Sequence, residues 1–241
     1  MTVLILAGTA EARGVAQHCH AQGIPCIASL AGATRRPAAL PVPTRVGGFG
    51  GRDGFVEYLH TTGISRIIDA THPFAHQITT RTWDVAQALG LPYLRLERPA
   101  WERQIGEKWI RVPDEAVASG YIPPYANVFL ATGRQSLGRF NLPDTCHVLC
   151  RQIDPPDTEF PFPKGRFVLG RPPFSVHDEI AIFQKYKVGI LVVKNAGGAA
   201  SRTKITAAGE LGITTIVIDR PELPPMPTVE TTQQAVKWLT T

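Results

Sequence analysis

The chain opens Met1-Thr-Val-Leu-Ile-Leu-Ala-Gly-Thr-Ala-Glu-Ala-Arg-Gly14. Val3 to Ala7 is an unbroken apolar run rich in β-branched residues and too short for a buried helix. It reads as a strand buried on both faces. Gly8 and Thr9 make a turn, and Glu11 to Gly23 carries Ala12, Val15, Ala16 and Cys19 at helical spacing. A parallel strand, a glycine turn and a helix N-terminus together build an anion site, because the first N–H groups of a helix have no partners within it. The opening therefore predicts an α/β protein with mainly parallel sheets and a nucleotide-type ligand.

This turn departs from the dinucleotide fingerprint Gly-x-Gly-x-x-Gly, whose second and third glycines are here Ala10 and Arg13. The P-loop is excluded, since no Gly-Lys-Ser/Thr follows. Glu11 sets a negative charge where pyrophosphate would lie. Two readings stand: it stabilises the first helical turn through the helix dipole, or it accepts hydrogen bonds from hydroxyls of a cofactor or its neighbours.

The 241 residues suffice for one large domain or two small ones. A composition of 44% hydrophobic and 19% charged residues is that of an ordinary soluble protein. No apolar run approaches a membrane span, and the first one lacks the basic lead-in of a signal peptide, so the expectation is a cytoplasmic protein without a membrane partner. Cys19, Cys26, Cys146 and Cys150 contain no Cys-x-x-Cys pair and read as buried thiols, not metal ligands. The net charge of +5 is spread over single basic residues and the pair Arg35-Arg36. That pattern suits a small anionic ligand better than nucleic acid.

Ile24 to Leu30 is a second strand, followed by Ala31-Gly-Ala-Thr-Arg-Arg36. An acidic residue here would select NAD, whereas arginines accommodate the 2′-phosphate of NADP. Two arginines and no acid favour NADPH, the plainer alternative being two solvated arginines in a loop. Arg45-Val-Gly-Gly-Phe-Gly-Gly51 holds four glycines in seven residues, which lets backbone approach a ligand or take positive φ. Ser65 to Thr71 is a further parallel strand running into His72-Pro-Phe-Ala-His76. Thr71 or His72 is placed to cap the next helix, with Pro73 in its first turn. His72 then stands at the carboxyl end of a strand, the edge where open sheets bind ligands. It reads either as a structural cap or as a group facing substrate or cofactor. His72 and His76 are four apart, but no third ligand accompanies them, and no metal is expected.

Around Arg98 to Glu107 the alternation breaks into a polar, aromatic stretch, which divides the chain into domains 1–98 and 99–241. In the second half, buried strands end in Gly133-Arg134, Gly170-Arg171 and Lys194-Asn195, against Gly8-Thr9, Arg35-Arg36 and Thr71-His72 in the first. If the two carboxyl edges face one another, these groups converge on one anion-lined interdomain cleft. The rivals are a short-chain reductase of a small anionic substrate and a non-catalytic basic module binding polyanions. None of the five tyrosines has a lysine four residues on, as the short-chain pattern requires, and no nucleic-acid motif is present.

Leu6-Ala-Gly-Thr-Ala-Glu-Ala12, Asp69-Ala-Thr-His-Pro-Phe-Ala75, Ala131-Thr-Gly133, Val193-Lys-Asn195 and Ala207-Ala-Gly-Glu-Leu-Gly-Ile213 resemble the precorrin-6A reductase family of cobalamin biosynthesis, as do Lys204 and Asp219-Arg-Pro221. The similarity runs through nearly the whole chain. It implies two Rossmann-like three-layer domains and an NADPH-dependent reduction of one double bond of a tetrapyrrole, precorrin-6A to precorrin-6B, with hydride delivered to C19. It covers cobalt-free and cobalt-containing substrates alike and leaves the oligomeric state open, a monomer included. The macrocycle's carboxylates account for the arginines and lysines, which pair with them in charge-assisted bonds. On this resemblance Gly8, Thr9, Glu11, Ala12 and Thr71 face the cofactor, with Arg35 or Arg36 on its 2′-phosphate. His72, Arg134, Arg171, Lys194, Asn195 and Lys204 face the substrate, and His72 and Lys204 are the candidate proton donors.

The phosphate assignment is checked by the double variant Arg35→Ala/Arg36→Ala. Loss of one charge-assisted contact should lower the NADPH-over-NADH preference about tenfold or more, as read from binding titrations with both nucleotides.

Overall fold

Successive residues of a strand point to opposite faces of its sheet. The computed structural model describes residues 2–32, 38–155 and 158–240. The chain begins β1 (Thr2–Leu6), α1 (Ala10–Ala21), β2 (Cys26–Leu30), β3 (Thr44–Val46), α2 (Gly51–Thr61), β4 (Ile64–Asp69), α3 (His76–Leu89) and β5 (Tyr93–Leu96). Next come β6 (Lys108–Val112), α4 (Glu115–Ser119), β7 (Asn127–Ala131), a 3-10 turn (Arg134–Arg139), β8 (His147–Gln152) and β9 (Gly165–Leu169). The remainder is α5 (Val176–Lys185), β10 (Ile190–Lys194), α6 (Thr203–Glu210), β11 (Thr214–Ile218), β12 (Thr228–Val229) and α7 (Thr232–Leu239).

Two compact units result: residues up to Pro99 together with those from Glu222, and Ala100–Pro221. Each holds one six-stranded sheet among the described residues, in the orders β12-β5-β4-β1-β2-β3 and β6-β11-β10-β7-β8-β9, and the pairings are parallel. In the first sheet Val3 and Ile5 enter a core with Ala12, Val15, Cys19, Ala235 and Leu239, from α1 and α7. Leu4 and Leu6 enter a second core with Phe55, Leu59 and Val85, from α2 and α3. The sheet is thus buried on both faces, as its apolar runs require. In the second unit Phe129, Leu149, Leu191 and Val193 pack with Phe183 and Ile205 of α5 and α6. The alternate residues Val128, Leu130, Val148 and Val192 are equally buried.

The expected C-terminal domain 99–241 is corrected at its end. Thr228 and Val229 pair with Arg95 and Leu96, and α7 packs on α1, so the last segment belongs to the first unit. A two-residue strand has no periodicity to announce it, and the apolar side of α7 completes a core begun more than two hundred residues earlier.

The glycine-rich stretch also holds a short edge strand that its composition hid, because β3 spans Thr44–Val46 and pairs with β2. Its glycines wrap around a side chain. The Arg45 guanidinium donates to Ser29 Oγ (2.8 Å), Gly47 O (2.9 Å) and Gly48 O (2.7 Å) and lies 3.9 Å over the Phe49 ring. A Cβ at Gly54 would run into the backbone carbonyl of Phe49. Glycine to alanine inside a helix ordinarily gains up to about 1 kcal/mol. Gly54→Ala should reverse that sign and cost about 1–3 kcal/mol through the clash, as measured by urea unfolding.

Candidate functional site

Chain order reverses between β1 and β4 in one sheet and between β7 and β10 in the other. Ligands of open α/β sheets bind outside the carboxyl ends of the strands at such reversals. In the first unit the two strand ends are stitched together. Thr9 Oγ1 caps α1 by accepting from the Ala12 N–H (3.1 Å) and donates to the Ala70 carbonyl (2.8 Å). Gly8 is exposed with φ 138°, and nothing lies within 4 Å of where its Cβ would be. The turn therefore leaves open space in front of the helix N-terminus, which fits a dinucleotide's phosphates.

Glu11 forms an ion pair at 2.7 Å with Arg98, both side chains being mostly buried. The arginine offsets the carboxylate's negative charge, an arrangement neither sequence reading contained. Ala12, expected at the cofactor, has its methyl in the core and its N–H engaged by Thr9. Arg35 and Arg36 lie outside the described residues.

Beneath this edge sits a buried polar network. Asp69 Oδ1 accepts from Thr71 N–H (3.0 Å), Thr71 Oγ1 (2.7 Å) and Arg95 Nη1 (2.8 Å), and Oδ2 accepts from the Tyr93 hydroxyl (3.0 Å). Arg95 Nη1 also donates to Thr71 Oγ1 (2.9 Å), and Nη2 to Glu97 (3.2 Å). Burial and the neighbouring Asp69 carboxylate push the Tyr93 hydroxyl above its ordinary range, so it remains a donor. The Thr71 hydroxyl, expected to face a cofactor, is thus engaged inside the protein. Sequence reading passed over Arg95, although a charged residue within Tyr-Leu-Arg-Leu, a strand buried throughout, demands a buried partner.

His72 does not cap a helix. The chain makes a turn first, and α3 begins at His76 with Ala75 at its N-cap and no side-chain capping bond. Proline disfavours helical backbone at the residue before it, and Phe74 N–H closes back on His72 Nδ1 at 3.2 Å. The bond accepted through Nδ1 orients the His72 ring. His76 starts the helix four residues on, so the two rings do not share a helix face.

In the second unit Gly133 (φ 83°) precedes the 3-10 turn that Arg134 opens, and Arg134 is exposed. Arg171 is also exposed, 3.8 Å from Asp154. Two other expected substrate residues are committed internally. Asn195 is buried, accepting from the Trp101 N–H (2.7 Å) and donating to the Trp101 carbonyl (3.1 Å), while Arg220 grips the Asn195 and Ala196 carbonyls. Lys194 pairs with Glu115 at 3.1 Å, because alternation along β10 turns it away from the Val193 face.

Lys204 lies in the first turn of α6 and donates to Ser201 O at 2.7 Å. Burial lowers its ammonium pKa, Glu179 pulls it back up and Arg151 pushes it down. Those two neighbours form a buried pair at 2.6 Å, with Phe174 4.1 Å and Phe129 5.0 Å from the guanidinium. Arg151 escaped sequence reading for the same reason as Arg95: its partner is remote in the chain.

The sequence profile of the family described as "Precorrin-6x reductase CbiJ/CobK" matches residues 2–240. The precorrin-6A reductase of Rhodobacter capsulatus is 40% identical over 238 residues, 98% of this chain and 95% of that one. The cobalt-precorrin-6A reductase of Synechocystis is 30% identical, over 93% and 90%. A solved structure titled "CobK precorrin-6A reductase" superposes with a TM-score of 0.95 at 40% identity, covering all of this chain and 96% of the other.

The Arg151–Glu179 pair is tested by breaking it on one side. Arg151→Ala leaves the carboxylate buried without its counter-ion and should cost about 3–5 kcal/mol in denaturant unfolding. Replacing both partners together, Arg151→Met with Glu179→Leu, should recover most of that loss.

Proposed function

We propose that this chain, which belongs to the precorrin-6x reductase family, reduces precorrin-6A in cobalamin biosynthesis with NADPH as the reductant, the first unit taking the nucleotide and the second the tetrapyrrole's carboxylates. The observation that carries the reading is identity of about 40% to named reductases, sustained over essentially the full length of both chains. Choice of NADPH over NADH rests on Arg35 and Arg36 following β2 where an NAD site would carry an acid. Greater identity to the Rhodobacter capsulatus protein than to the Synechocystis one supports a cobalt-free macrocycle.

When bound, NADPH supplies the hydride, and the hard chemistry is the cofactor's. This chain's residues bind and orient. The α1 N-terminus and the open Gly8-Thr9 turn receive the pyrophosphate, and Arg98 keeps Glu11 from repelling it. Arg134 and Arg171, exposed beside strand ends of the second sheet, pair with substrate carboxylates. His72, its ring oriented by the Phe74 N–H in the turn after β4, is the candidate proton donor to the reduced macrocycle. Lys204 is the second candidate, its ammonium made more acidic by burial.

Incubation of the purified protein with precorrin-6A and NADPH should consume nucleotide only when both are present and yield a product two hydrogens heavier. NADH should support a rate about tenfold lower or less, and cobalt-precorrin-6A should turn over more slowly than the metal-free compound. Equal rates with the two nucleotides would overturn the NADPH assignment, and a preference for the cobalt compound would overturn the substrate assignment. An absence of any substrate-dependent oxidation would overturn the activity itself.

A further inference from the structure

We propose that the buried Asp69–Arg95 pair is a positioning device, which fixes the Thr71-His72 turn and so aims His72 at the reacting groups. The proposal rests on the reductase reading for what His72 faces, but the device itself is built from contacts within the first unit.

Regular structure stops at Asp69 and resumes only at His76. Between them the Thr71 N–H and hydroxyl are both held by Asp69, and the Thr71 hydroxyl also receives Arg95 Nη1. One guanidinium nitrogen thus bridges the carboxylate and the threonine oxygen, at 2.8 and 2.9 Å. Tyr93 fills the other carboxylate oxygen, and Thr79 of α3 stands 3.3 Å from the Thr71 hydroxyl. Asp69 and Arg95 are 0% and 1% exposed, so water neither loosens nor competes with these bonds.

Stability alone does not account for such a pair. Withdrawing two charges from water is costly, and well-packed apolar residues of similar size often serve stability as well or better. A network with directional bonds offers a fixed geometry instead. Hydride and proton transfer need that geometry, since a misplacement of about 1 Å costs on the order of a hundredfold in rate. The residue following Thr71 is the one whose imidazole must be aimed. Asp69, Tyr93 and Arg95 act through it and through Thr71, without touching the substrate.

Thr71→Val keeps the shape and removes the hydroxyl, and Thr71→Ser restores it. With isotope-labelled histidine, the His72 ring signals of the nucleotide-free protein should shift or broaden in Thr71→Val and return in Thr71→Ser. In the NADPH assay, kcat should fall about tenfold or more in Thr71→Val. NADPH affinity should stay within about twofold, a difference small against one lost contact, and Thr71→Ser should regain most of the rate. Unchanged His72 signals, an undiminished kcat, a parallel loss of NADPH affinity, or a serine variant no better than valine would each overturn the proposal. If wild-type protein fails to reduce precorrin-6A while the His72 signals respond as described, the reductase reading falls and the positioning device stands.

Discussion

An arginine and an aspartate shut away from water near the ends of two neighbouring parallel strands set the terms for the first unit. Their charges must be met inside the protein, and the bonds that meet them run to Thr71, Tyr93 and Glu97. Each partner is thereby fixed in turn. The strand end of β4 is tied to its neighbour by Thr9 and the Ala70 carbonyl, so the two sides of the reversal in chain order are held in one geometry. A buried pair recurs in the second unit, where Arg151 leaves the carboxyl end of β8 to meet Glu179 in the first turn of α5. Both buried pairs draw on a charged residue near the carboxyl end of a strand, Asp69 and Arg95 in the first sheet and Arg151 in the second.

The sequence made the layers legible because β1, β4, β7 and β10 are apolar runs broken by glycine or a polar pair, and helix faces such as Ala12-Val15-Ala16-Cys19 repeat at helical spacing. It hid β3 and β12, whose three and two residues are too few to show a period. The strand ends were also legible, since Gly8-Thr9, Thr71-His72 and Gly133-Arg134 each follow a buried strand. What those side chains do there was less so. Asn195 and Lys194 stand at a strand end as expected, yet Trp101 and Glu115 claim them from far along the chain. Partners separated by tens of residues leave no local pattern. Arg95 came closest to one: an arginine between leucines in a fully buried strand is itself a signal.

Helix starts divide along the same line. Ser175 and Thr231 cap α5 and α7 with their side chains in reciprocal boxes, and the signal for each is contained in four consecutive residues. Thr71 carries the same chemical group and was read the same way, but its hydroxyl faces Asp69 and Arg95 and the helix begins later. A local rule yields where a buried charge competes for the same oxygen.

The return of β12 and α7 to the first sheet bears on how a ribosome delivers this protein. Five strands of the first unit emerge, and then the whole of the second unit is synthesised before the sixth arrives. Throughout that interval the face of α1 that receives Ala235 and Leu239 has no cover. The second unit, contiguous from Ala100 to Pro221, is complete first. Order of emergence and order of completion therefore run in opposite directions, and the nascent chain carries an unfinished apolar face for half its length, the period in which a chaperone has something to hold.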